Sequence, residues 1–465
     1  MKSDIFTKSS SLCPGLSLSQ SIQLLFYVVS IALPGMVKGD EFQHWGHWRG
    51  HGGNSVSTTA NPPTSWSETE NVKWKVEIPG RGSGSPVIWE NRVFVVSAVG
   101  GESASGAGGS AERGGKGGQK GKGGKGGRPS GALPKLSFHL FCFDRETGKE
   151  LWSKVAVETT PHEGTHQTNG YASASPCTDG ERVFAHFGSR GLFCYDFDGA
   201  LLWSRTDFGE MITRAGFGEG SSPTLAGDKI LVPWDHEGPS ALYALDKKTG
   251  ETIWKADRDE PTCWATPLVV PSGDGFQVVM NGQIKARAYD LETGKELWSC
   301  GGQTERPVAS AVFSDGVTVI GSGFRGSFVG AFKLDGSGDI EGSDSVVWTT
   351  PDDAPDIASP MVSQGRLYFH KGKTGILSCL EVATGRVLFG PERIPGVNTT
   401  YASPVAAGGY IYMTDRSGTI TVIKDGGTLE VVTTNTLGEG VDATPAPVGS
   451  ELFVRGERHL FCLSE

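Results

Sequence analysis

The stretch DRETGKELW, residues 144–152, returns as DKKTGETIW at 246–254 and as DLETGKELW at 290–298. Recurrence at roughly 40–50 residues marks a repeat architecture, in which each copy is one supersecondary unit that cannot bury its apolar face alone. Weaker copies stand between them: DFDGALLW at 196–203, KLDGSGDIEGSDSVVW at 333–348 and EVATGRVLF at 381–389. A second marker, a hydroxyl residue followed by proline, lies at Ser85, Ser175, Ser222, Thr266, Ser359, Ser403 and Thr444, with Ser310 in the one slot where alanine replaces the proline. Eight units result.

Within a unit, short apolar runs alternate with turn residues, as in SPVIW, ENR and VFVVSAV of the first, which predicts strands joined by tight connections. In DxxTG the glycine supplies the positive φ of a hairpin turn, and the aspartate can accept from nearby amides. About 44 residues accommodate four strands of ordinary length with their loops. The chain is therefore expected to be all-β, an eight-bladed propeller of four-stranded antiparallel blades. Each unit opens on small residues (YASASP, GEGSSP, WATP, IASP, YASP, VDATP), as crowding at a central axis demands. Trp74, Trp152, Trp203, Trp254, Trp298 and Trp348 fall on the outermost strands and are expected to dock one blade on the next, with Phe389 in the same slot. Because the eighth unit stops after its third strand, NVKWKVEIP at 71–79 is expected to supply the fourth and close the ring, removing open sheet edges.

The combination SP…DxxTGKELW resembles the PQQ-like β-propeller repeat of quinoprotein dehydrogenases and of the non-catalytic outer-membrane assembly protein BamB, over residues 45–465. WGHWRGHGGNSVS at 45–57 is similar to the Trp-Arg-Gly lead-in of many secreted bacterial proteins of this kind. The resemblance implies two branches. A dehydrogenase of this type would bring PQQ and Ca²⁺, a vicinal cysteine pair and a catalytic aspartate, yet no two cysteines are adjacent here and CxxCH is absent. The BamB-like branch is a lipoprotein, and no cysteine follows the apolar run here, since Cys13 precedes it.

That run, IQLLFYVVSIAL at 22–33, is too short to span a bilayer and follows Lys2 and Lys8, so residues 1–39 read as a secretory signal and 40–465 as the propeller. Export to the periplasm or cell surface follows, with no transmembrane span after cleavage. A net charge of −10 argues against nucleic acid as the main partner. Residues 100–131, rich in glycine and lysine, cannot bury a core and are expected to form a disordered insertion in the first blade. Cys142, Cys194, Cys379 and Cys462 share one slot of the repeat, that of a small core hydrophobe, and equivalent slots in different blades lie too far apart to bridge. One pair among Cys177, Cys263 and Cys300 is left open.

Strands running from axis to rim place the Thr-Gly turns on one face and the blade-to-blade connectors with the second-to-third loops on the other. The second face collects the unusual residues: His162, His166, Arg190, Arg214, His236, Glu237, Arg258, Asp259, Trp264, Arg325, Lys371, Arg416 and Arg455. Binding residues concentrate on loops held by a rigid scaffold, so this face is the expected binding surface. His162 and His166 with Asp235 and His236 offer a mixed nitrogen and oxygen set, but the Pro and Gly around them read as loop, and no metal is expected. No GxSxG, HExxH or Walker loop occurs, and no catalytic residue is expected. The reading is an exported, monomeric, non-catalytic binding propeller with a protein or envelope partner and no cofactor. A PQQ-dependent dehydrogenase is the alternative, and a carbohydrate-binding or carbohydrate-processing accessory protein the third.

Overall fold

The computed structural model describes residues 44–100 and 133–465. Residues 1–39, expected to be a signal segment, and all but the first residue of the 100–131 insertion lie outside the described residues. Eight sheets form the eight blades, each with a core of four antiparallel strands that follow one another in the chain in every blade but the eighth. In blade 1 the strands are Val87–Trp89, Arg92–Gly100, Leu136–Asp144 and Glu150–Thr159. Inner strands are short and buried, whereas the fourth strand alternates exposed and half-buried positions. Period-2 alternation on an edge strand that faces one neighbour and solvent explains the difference.

Ring closure is as the sequence requires. Val72–Glu77 pairs antiparallel with His459–Leu463, setting Trp74 opposite Cys462, so blade 8 takes its outer strand from the opposite end of the chain. Two sheets carry a fifth strand that the repeat does not announce. His44–Trp45 pairs with the innermost strand of blade 1, and Gly338–Asp339, from the long outer hairpin of blade 5, runs parallel to the fourth strand of blade 4.

The opening motif is a docking device between blades. Trp74, Trp152, Trp203, Trp254 and Trp348 each donate their indole N–H to a main-chain carbonyl in the short turn between the third and fourth strands of the next blade, at 2.7 to 3.2 Å. The glycine of that turn lies flat on the same ring. A Cβ at Gly250 (φ +74°) would stand 2.7 Å from Trp203, and one at Gly294 (φ +70°) 2.6 Å from Trp254. Trp298 differs, since the next blade carries the long hairpin of residues 333–348 in place of a short turn. Its indole donates to Gln277 Oε1 at 3.0 Å, and Gln277 Nε2 relays the contact to the Leu334 carbonyl at 2.8 Å.

At the axis the second marker forms a closed circle. The backbone N–H of Ser85 donates to Ser175 Oγ, Ser175 to Ser222, Ser222 to Thr266, and so on through Ser310, Ser359 and Ser403 to Thr444, whose N–H returns to Ser85 Oγ. All eight bonds measure 2.9 to 3.1 Å. A hydroxyl in this slot satisfies an innermost-strand amide that has no further strand to pair with, which is why only Ser or Thr appears.

Below the circle, the lead-in crosses the axis and touches every blade. Trp45 pairs with Ile88, the Gly46 carbonyl accepts from Thr178, and His47 lies 3.5 Å from Thr224 Oγ1. His51–Gly53 packs beside Leu268–Ser272, and Arg49 donates to the carbonyls of Ala311 at 2.9 Å and Pro360 at 2.5 Å. Ser55 and Ser57 bond the Ala406 backbone at 2.9 Å, and Asn61 donates to Gly449 at 2.7 Å. The Trp-Arg-Gly motif thereby plugs the channel from the turn face.

Candidate functional site

Sealed at one end, the channel becomes a blind funnel of about 240 Å³ that opens on the connector face, with all eight ring hydroxyl residues and Trp48 in its floor. Side chains alternate along a strand, so the residue two positions before each ring residue also faces the axis. Ser83, Ser173, Gly220, Trp264, Val308, Ile357, Tyr401 and Asp442 form this second tier, and each of them lines the cavity. Connector residues His166, Thr168, Asn169, Phe217 and Arg306, with Lys373 from a second-to-third loop, complete the wall.

The wall is cationic. Arg306, 8 % exposed, donates to Asp356 at 3.2 Å and stacks on Phe324 at 3.5 Å, while its buried Nε has no protein partner. Lys373 lies 3.9 Å from Asp356 and 5.9 Å from the Tyr401 ring centre. Arg416 lies 4.0 Å from the Tyr401 ring centre and holds Asp442 through two bonds, at 2.5 and 2.8 Å. His166 donates to or accepts from Thr168 Oγ1 at 2.8 Å, and Thr168 meets Tyr401 Oη at 3.2 Å. Burial, then the charges of Lys373, Arg306 and Arg416, hold the His166 pKa below its ordinary value. The ring is therefore neutral in the neutral pH range.

Of the residues singled out in the sequence, the funnel gathers His166 and Trp264, whose indole donates to the Gly218 carbonyl at 2.7 Å, with Arg416 behind Tyr401. Arg325, Lys371 and Asp259 are exposed on the surrounding loops, and Arg214 is half-buried against Glu305 at 2.6 Å. Four others do not belong to a surface. Arg258 has 0 % side-chain exposure and grips Asp235 at 2.7 and 3.0 Å and Tyr289 Oη at 2.7 Å. Arg455 is 1 % exposed, Arg190 is buried against Glu219 at 2.8 Å, and His236 accepts from the Ile212 amide at 3.1 Å under the connector. Charge in a loop sequence reads as surface, but these side chains are buried, and Arg258 and Arg190 fasten their loops through Asp235 and Glu219. Glu237, exposed on the same loop, accepts from Thr262 Oγ1 at 2.8 Å.

The four residues considered for a metal are not brought together. His162 instead meets Glu163 and Glu219, the potential ligand atoms of the three lying within 4.8 Å of one another. His162 Nε2 contacts the Met211 carbonyl at 2.6 Å, Glu163 accepts from Thr213, and Glu219 accepts from Ser189 and Arg190. With its carboxylates so committed, the cluster acts as a clasp between connectors. The cysteines at 142, 177, 194, 263, 300, 379 and 462 are free and buried, with no bridge among the described residues.

Fold and site define a class: an eight-bladed propeller with a one-ended axial funnel. A family model described as outer membrane protein assembly factor BamB matches residues 138–391, more than half of the chain, and the chain belongs to that family of PQQ-like propellers. It is 22% identical over 289 residues to the outer membrane protein assembly factor BamB of Yersinia pestis, covering 61% of this chain and 58% of the relative. A lanthanide-dependent methanol dehydrogenase of Methylacidiphilum fumariolicum (strain SolV) is 28% identical over 99 residues, 20% of this chain and 15% of that one. The chain thus matches less than two thirds of the length of either curated relative. A solved europium-containing methanol dehydrogenase superposes with a TM-score of 0.60 at 10% identity, covering 92% of this chain and 98% of that one, a likeness of fold.

Quinoprotein-type folds imply a quinone held with a divalent cation. Here the funnel wall presents Arg306, Lys373 and His166, and its only lining carboxylate among the described residues, Asp442, is already held by Arg416. These residues do not fit Ca²⁺, whose ligands must be free oxygen donors.

Proposed function

We propose that this chain is an exported, non-catalytic propeller that binds another component of the cell envelope through its connector face, with BamB-like assistance to outer-membrane proteins as the concrete version. The observation that carries the reading is the asymmetry of the two faces. One is closed by short Thr-Gly turns and the lead-in, and the other opens on a cationic, aromatic funnel. Membership in the BamB-described family supports it, as does the absence of a free ligand set for Ca²⁺ in the funnel wall. Export rests on the apolar run at 22–33 after two lysines.

Photo-crosslinking groups at Arg325 and Lys371, exposed beside the funnel, should trap an unfolded outer-membrane β-barrel chain, whereas the same group at Lys149, on the turn face, should not. Equal trapping on both faces, or none, would overturn the reading. The dehydrogenase alternative, favoured by the fold likeness and by a local sequence match to a methanol dehydrogenase, is checked by adding PQQ with Ca²⁺ and following the thermal midpoint together with dye-linked alcohol oxidation, because a ligand of the folded state must raise apparent stability.

A further inference from the structure

We infer that the funnel is an oxyanion site, built to hold the negatively charged oxygen group of a small ligand between Arg306, Lys373 and the ring of axial hydroxyls. The inference rests on the binding reading above and adds the chemistry of what enters the funnel.

The floor supplies the first argument. Every ring hydroxyl accepts one backbone N–H from its neighbour, in a circle that closes on itself. A hydroxyl has one proton to give besides the lone pairs it accepts with. Among the described residues none of the eight donates that proton to a protein acceptor, and all eight line the cavity. Their acceptor capacity is spent on holding the blades together, and their donor capacity is left for the axis. Eight donors converging on one axis attract oxygen acceptors and disfavour cations.

The wall supplies the second, independently. Arg306 is nine-tenths buried and lines the cavity, its Nε is buried without a protein partner, and its one carboxylate, Asp356, is shared with Lys373. Arg306 and Lys373 share one carboxylate, Asp356, while Arg416 is held by Asp442 with Glu457 as a further negative neighbour. A partly desolvated guanidinium with free N–H groups is the side chain best suited to a carboxylate or a tetrahedral oxyanion. Arg306 also holds a positive φ of +46°, a conformation that non-glycine residues rarely adopt and that tends to persist at binding sites.

The test is isothermal titration calorimetry of the full chain with sodium acetate, sodium phosphate and sodium sulfate at constant ionic strength, with calcium chloride as the opposite-charge arm. Saturable one-to-one binding of at least one oxyanion is expected. Lys373→Glu, at a half-exposed position that carries no fold-critical contact, should weaken it by about tenfold or more, the equivalent of about 1.4 kcal/mol. Arg306→Gln should do the same where it folds, and Lys149→Glu on the turn face should change nothing. Acetate binding best would identify a carboxylate ligand, and phosphate or sulfate a tetrahedral head group. No saturable heat with any oxyanion, equal affinity in Lys373→Glu, or tighter binding of Ca²⁺ would each overturn the inference. The titration does not depend on capturing a partner, so failure of the envelope-protein reading would show separately, as absence of crosslinking with anion binding intact.

Discussion

The amide of Thr444 donates to Ser85 Oγ at 2.9 Å across 359 residues of sequence, and this bond completes the axial circle. It joins the last blade to the first at the same point where each blade joins its neighbour, so closure is achieved at the axis as well as at the rim, where Trp74 docks on blade 1.

Breaking the circle should be costly wherever it is cut. Ser85→Ala removes the acceptor for a buried amide, and an unsatisfied buried donor costs about 1–3 kcal/mol. Ser85→Thr should restore most of it, because Thr266 and Thr444 occupy equivalent slots. Urea unfolding of the two variants checks this.

The Trp–Gly contact separates steric from conformational cost. Gly250 and Gly273 both have positive φ, +74° and +58°, but a Cβ at Gly250 would collide with Trp203 while one at Gly273 meets nothing within 4 Å. Gly250→Ala should therefore lose about 1–3 kcal/mol more than Gly273→Ala, the ordinary cost of overpacking. Thermal midpoints of the pair decide it.

Arg258 is a fastener, and its loss should act on stability. Arg258→Ala leaves Asp235 buried without its counter-charge, at a cost of about 3–5 kcal/mol, whereas the double change Arg258→Met with Asp235→Leu should recover much of it. Arg325→Ala, at an exposed position, should stay within about 0.5 kcal/mol of the parent.

Acid should loosen the propeller through two buried histidines. His186 and His370, each 1 % exposed at the end of a second strand, have pKa values lowered to about 4 by burial. The folded state thus binds a proton less readily than the unfolded one, whose histidines titrate near 6.5. Stability is fully present above that value and is lost as pH falls toward 4, by about 2 kcal/mol per histidine at pH 5. Urea midpoints at pH 7.5 and pH 5 should differ accordingly, and His186→Gln with His370→Gln should flatten the dependence. An unchanged slope in the double variant would refute it.

Blade number, strand order and the closing strand were legible in the chain because a repeat writes its own period. Ser-Pro marks the axis, Thr-Gly and Trp mark the rim, and an eighth unit one strand short asks for Val72–Glu77. The second tier of the funnel was legible too, had the alternation within each innermost strand been followed back two residues from the ring, as WATP and YASP place Trp264 and Tyr401. The lead-in was visible as a motif, but its eight separate contacts were not, since they are made with carbonyls and small polar groups spread over the whole ring.

Charge is where sequence and tertiary structure part. Local pattern and periodicity determined the elements and their order, because backbone hydrogen bonding and side-chain alternation act between near neighbours. Which charges face solvent, which fasten blades and which line the funnel depends on partners far away in the chain, such as Asp235 for Arg258 and Asp356 for both Arg306 and Lys373. Only closure of the ring brings those partners together, and burial then decides whether an arginine is a bolt or a ligand contact.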